Sequence, residues 1–238
     1  FGALHLKAQY FQKTGYLFPA GFKAPSIGAI VSRAKGRRAP PVPPSLYLSR
    51  DIDSSNGELL FINEFIGPGF YGVKHAPFMI PDASAGLSTL NGLAGMNRER
   101  IDRRQALLRH IASIEPNELR DSQKAEDFMR TMDDARAMMD SPVKKSFAFM
   151  KEEKPQTIKA YDVGHRFGFG CLLARRLIET GARFVEVEYQ YAAFQGFDMH
   201  ANGKPRMEQM KAQVDRPIGT LIRDLKETWK KTQKFERI

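Results

Sequence analysis

Cysteine is almost missing from this chain. Cys171 is the single one among 238 residues, so no intrachain disulfide can form and cysteine usage gives no reading of the redox compartment. Its flanks, FGFG before and LLARRL after, set it on an apolar helical stretch, where a lone thiol serves as a small buried hydrophobe. No run of about 18 apolar residues exists, so no membrane span is expected. No charged leader followed by an apolar segment opens the chain. The G-x-S-x-G elbow, the Walker loop, HExxH and CxxC are missing too, so none of those patterns points to a function. No basic helical stretch is interleaved with aromatics as base stacking requires, so no nucleic-acid partner is expected.

What the chain has in excess is positive charge. Lys and Arg number 37 against 27 Asp and Glu, a formal charge of +10, with patches at RAKGRR (33–38) and KETWKKTQKFER (226–237). Most of this reads as solvated surface, with attraction for anions as its second use. With 42% hydrophobic and 27% charged residues, the chain suits one sizeable globular domain over 1–238, or most of a larger one.

The element pattern is mixed. HLKAQYFQKTGYLF near the start has no clean period and ends in a Gly-containing turn. In PSIGAIVSRAKG, Ser26 is placed to cap a helix, Ile27, Ile30 and Val31 supply an apolar face, and Gly36 is placed to end it. The Pro-rich APPVPPS (39–45) cannot be helix interior and leads into a short strand, LYLS. From Asp51 to Gly95 the sequence is rich in Gly, Pro, Asn and Ser and reads as a long loop that packs through its Phe and Ile residues. Helical periods return at 97–114 and 122–140, the second with Phe128, Met132, Ala135 and Met139 on one face as core. GHRFGFGCLLARRLIETG (164–181) is a helix ending on Gly, followed at once by ARFVEVEY, a strand. That succession is half of a βαβ unit. A last helix runs from 205 to about 231, with Pro217 as a kink or break.

One polar segment follows the end of a strand, the position at which open α/β sheets bind ligands. It is GFDMHANG (196–203), in which Asp198 and His200 stand two residues apart. In extended backbone such a pair points to one side and can reach one ion, but on spacing alone two solvated side chains in a loop is the more common case. Two ligands fall short of a catalytic metal site, which takes about three protein groups plus an open position. Of the other histidines, His110 reads as surface, His75 and His165 as loop or capping residues, and local pattern assigns His5 no role.

Taken together, HLKAQYFQKTGYL, PSIGAIVSRAKG, GPGFYGVKHAPFMI, SPVKKSFAFMKEE, GCLLARRLIETGARFVEVE, GFDMHANG and VDRPIGTLIRDLK resemble the DUF1501 family along nearly the whole chain. That family consists of large exported bacterial proteins, abundant in planctomycetes and related to the alkaline phosphatase and sulfatase superfamily. The resemblance implies an alkaline-phosphatase-like three-layer α/β/α sandwich, incomplete at both ends because this chain would be the central part of a larger domain. It implies a metal-dependent hydrolase of phosphate or sulfate esters, exported or periplasmic, with a divalent metal ion as cofactor and an anionic small-molecule or polymer substrate. Carried over by position, Asp198 and His200 are its metal ligands and His5, ahead of the T-G-Y segment, is a catalytic-site residue. Phe197 replaces the usual Trp, and Lys13 stands where relatives often have His. The other reading is a non-catalytic exported protein that keeps the scaffold to bind a polymer or partner.

Overall fold

The structure is a computed structural model that describes residues 5–18, 21–48, 66–80, 82–85, 97–114, 123–189 and 202–235. The helices are α1 (His5–Thr14), α2 (Ile27–Lys35), α3 (Arg98–Ile114), α4 (Gln123–Met139), α5 (Phe149–Glu152), α6 (Pro155–Ala160), α7 (Arg166–Glu179) and α8 (Gly203–Phe235). Strands β1 (Ser45–Leu48), β2 (Phe78–Ile80) and β3 (Phe184–Val187) form one parallel sheet in the order β2-β1-β3. Leu46 pairs with Phe78 on one side and Val185 on the other. The α/β expectation therefore holds, in a helix-rich form around a small sheet.

β1 is the central strand and all four of its residues are buried, as a parallel strand covered on both faces must be. Successive side chains enter different clusters. Leu46 and Leu48 join Ile80, Phe149, Tyr161, Leu172, Leu173 and Leu177 in the main core, whereas Tyr47 joins Tyr10, Ala24 and Ile66. Tyr10 also accepts, through its hydroxyl oxygen, the Ala24 N–H at 3.0 Å, which ties α1 to the chain leading into α2.

α2 starts where the cap predicts: Ser26 Oγ accepts from the Ala29 N–H at 3.3 Å and donates to the Ile66 carbonyl at 3.0 Å. Its buried face is not the expected one. Gly28, Ala29 and Ser32 are buried, while Ile27 and Ile30 are 47% and 40% exposed. The cause is close approach to the sheet: a Cβ on Gly28 would lie 2.4 Å from Ser45 Oγ, so only the small-residue face of the helix fits there. Among the described side chains of α4 the deepest is Met138, with Met139 also packed on the core, and the side chain of Phe128 lies outside the described residues.

Two further expectations are revised. GPGFYGVKHAPFMI is not loop throughout, because Gly69–Tyr71 and Val73–His75 are 3₁₀ turns and Phe78–Ile80 is strand β2. α8 continues through Pro217, so of the kink or break expected there the break does not occur. Proline gives up one backbone bond there, and packing of Met210, Val214 and Leu221 into the body of the protein offsets it. Across the core, Glu153 accepts from both Arg175 and Arg176, and Arg175 NH1 also donates to Asp224 at 3.1 Å. Asp224 accepts from the Tyr161 hydroxyl at 2.9 Å, so the network joins the residues that end α5 and α6 to α7 and α8.

Candidate functional site

β3 leaves the sheet through Glu188 and Tyr189, and residues 190–201 link it to Asn202 and the start of α8. Asn202 has a φ of 53°, and its carbonyl accepts the Arg206 N–H at 3.2 Å. Asp198 and His200 belong to the intervening segment and lie outside the described residues. His5 is the first residue of α1; its side chain likewise lies outside what is described. Among the described residues there is no group of three His, Cys, Asp or Glu side chains that could hold a metal ion.

The described side chains around this exit are polar on both faces of the strand. Residues two apart on a strand share a face, so Glu186 and Glu188 point together toward α1, while Val185, Val187 and Tyr189 pack on the main core. Lys13, in the last turn of α1, reaches both carboxylates: its Nζ pairs with Glu186 Oε1 and lies 3.5 Å from Glu188 Oε2. The same ammonium sits 5.1 Å from the centre of the Tyr47 ring, close enough for cation–π attraction. One cation between two carboxylates leaves a net negative charge at the strand end. Burial pushes the Glu188 carboxyl above the usual carboxylate range, and Lys13 draws it partly back.

On the other face, Tyr189 stacks on His165 with ring centres 5.5 Å apart and an interplanar angle of 17°. Its hydroxyl donates to Gln213 Oε1 on α8. His165 Nδ1 accepts the Phe167 N–H at 3.2 Å and so caps α7, as its sequence position indicated. Burial holds the imidazole below its ordinary pKa, Arg166 adds to this, and Asp162 opposes it. The next residue, Arg166, pairs at 3.0 Å with Asp82, two residues beyond β2. Asp82 Oδ1 also accepts from the Ser84 N–H at 2.9 Å and hydroxyl at 2.6 Å. Burial pushes this carboxyl up, but the Ser84 and Arg166 interactions outweigh it and hold the group below its usual range. The start of α7 thus contributes to the carboxyl ends of both β2 and β3.

Sequence reasoning missed Lys13, Glu186 and Glu188 as a unit. The alternation of FVEVEY makes the two glutamates look solvated, and nothing local reveals that α1 covers that face. The one available signal was Lys13 itself, standing where a histidine was expected. In open α/β sheets, ligands bind outside the carboxyl ends of the strands, the end at which these charged and aromatic groups lie. The chain belongs to the DUF1501 family, described as proteins of unknown function, whose family model matches residues 2–233. No curated protein and no solved structure matches the chain.

Proposed function

We propose that the intact protein is an exported, metal-dependent hydrolase of phosphate or sulfate esters, built on an alkaline-phosphatase-like three-layer scaffold. The observation that supports this reading is connectivity: in sequence, the segment holding Asp198 and His200 follows the carboxyl end of β3 in a parallel sheet, and Glu186, Glu188 and Lys13 stand at that end. The donor set fits a divalent cation, since carboxylate oxygen and imidazole nitrogen suit zinc, manganese and similar ions. Asp198 and His200 would hold the ion, and the residual negative charge of the glutamate pair would favour it there. When bound, such an ion polarises an ester oxygen and offsets charge that builds in the transition state.

The protein's own groups have narrower tasks in this scheme. Lys13 keeps the glutamate pair from repelling an anionic substrate at full strength. His165, its imidazole held below its ordinary pKa by burial and fixed by its cap, holds the Tyr189 ring and with it the direction in which the strand leaves the sheet.

The test is metal content by elemental analysis of the intact protein beside its Asp198→Ala/His200→Ala variant. Stoichiometric metal in the first, lost in the second, supports the hydrolase and directs a screen of phosphate and sulfate monoesters. Negligible metal in both sinks it and favours the second reading, a non-catalytic exported binding protein. A row of aromatic contacts, exposed at Tyr16, Phe22 and Phe70 and ending on the half-buried Tyr71, supports that alternative.

A further inference from the structure

The opposite ends of the strands carry a different feature. Where the chain enters β1 and β2, a cleft of about 210 Å³ lies between the Pro43-Pro44 approach to β1, the Lys74–Phe78 approach to β2, and Asp134 of α4. With about 30 Å³ per water molecule in the liquid, it has room for a small organic ester rather than a single bound water.

Its lining divides by chemistry. Pro77 and Phe78 are apolar, while Arg37, Lys74 and His75 bring basic groups. Arg37 is held in place: NH1 donates to the Pro41 carbonyl at 3.0 Å, and NH2 pairs with Asp134. A guanidinium carries five N–H donors, so these two contacts leave capacity for an acceptor in the cleft. Lys74 is exposed and forms no ion pair with another described residue. Around the cleft the charge stays positive. Arg33, Lys35 and Arg38 flank Arg37 in sequence, and Arg183 Nε donates to the Gly36 carbonyl at 3.1 Å. Beside it, the His75 ring meets Tyr71 at 6.3 Å, and the Arg33 guanidinium lies 4.4 Å from the centre of the Tyr71 ring.

We propose that this cleft is an anion-binding site for a phosphate or sulfate monoester. The tetrahedral oxyanion would sit between Arg37 and Lys74, and the organic body of the ester would lie against Pro77 and Phe78. Asp134 acts as an internal competitor that occupies part of the guanidinium until the anion arrives. The site stands apart from the metal-dependent reading above, being at the amino ends of the strands and using none of the same residues.

Calorimetric titration of the intact protein with phenyl phosphate, inorganic phosphate and inorganic sulfate tests it. Saturable binding is expected, tighter for phenyl phosphate than for the inorganic ions because of the apolar wall. Arg37→Met and Lys74→Met should each weaken binding about tenfold, the scale of one charge-assisted contact. Asp134→Asn should tighten it severalfold by releasing Arg37, a gain that misfolding cannot imitate. The Asp198→Ala/His200→Ala variant should bind as the parent does, which separates this site from the proposed metal centre. The proposal is overturned if the parent shows no saturable binding, if folded Arg37→Met and Lys74→Met bind as well as the parent, or if Asp134→Asn fails to tighten binding.

Discussion

Lys13 Nζ lies 3.5 Å from Glu188 Oε2 while also pairing with Glu186, so a single helix-borne cation holds two carboxylates of one strand face. Glu188 is the more costly of the two, because burial raises its pKa above that of a free glutamate. In the folded state it therefore binds its proton more tightly than in the unfolded chain. Its contribution to stability is complete below the unfolded pKa near 4.5 and is lost as pH rises through the higher folded value. Lys13→Met removes the compensating charge and should cost about 2 kcal/mol at pH 8, and less at pH 5. Urea unfolding at both pH values checks the sign; an equal loss at each would show that Glu188 carries no uncompensated charge.

The Arg175–Glu153–Arg176 group makes the opposite pH prediction. Burial pushes Glu153 up, but bonds from Arg176 and Arg175 prevail and hold it below the usual carboxylate range. Its contribution is therefore present above the unfolded pKa near 4.5 and is lost as pH falls through the lower folded value. Glu153→Ala should cost about 3 kcal/mol at neutral pH, because it leaves two arginine side chains, 12% and 15% exposed, without their shared partner. Thermal melts of parent and variant from pH 7 down to pH 3 should converge as the parent loses the same interaction.

Two glycine substitutions on helices should move stability in opposite directions. A Cβ on Gly168 would lie 2.3 Å from the Tyr161 carbonyl and 2.4 Å from that of Asp162, both backbone atoms that cannot swing aside. Gly168→Ala should thus destabilise by about 2 kcal/mol or more. Gly219, within α8, has nothing within 4 Å of the same position. Gly219→Ala should stabilise by about 0.5 to 1 kcal/mol through helix propensity alone. Equilibrium unfolding of the two variants beside the parent provides the comparison.

Cys171 is 2% exposed, and burial pushes its thiol up to about 12. A thiol-specific disulfide reagent at pH 8 should leave the native protein unlabelled and titrate the thiol only after denaturant is added. Rapid labelling of the native state would mean that α7 opens far more easily than its packing implies.

Local rules were enough for the parts of the fold set by neighbours in sequence. The Ser26 cap, the Gly36 ending of α2, the α7-to-β3 succession and the role of His165 all depend on residues within a few positions of one another. What stayed hidden depends on distant partners. Ile27 and Ile30 looked like core because they are large and apolar, yet Gly28 lets α2 approach Ser45 so closely that the small face is buried instead. β2 went unread because three residues after a proline carry little period, and it is β1 alongside that makes them a strand. At the exit of β3, the alternation of Glu186 and Glu188 was visible, but their burial is conferred by Lys13 from the other end of the sequence.

The sheet also dictates an order of events. β1 is complete at Leu48, but one of its two partners begins only at Phe184, on the far side of most of the helices. During synthesis Leu46 and Leu48 must wait, unpaired on that side, until α7 and β3 have emerged. Contacts this remote in sequence form slowly because the intervening chain has to be closed first. A ribosome-bound chain stopped before Phe184 would thus expose one edge of β1, the strand whose residues are all buried in the finished fold, and in the cell that interval is when a chaperone would be most needed.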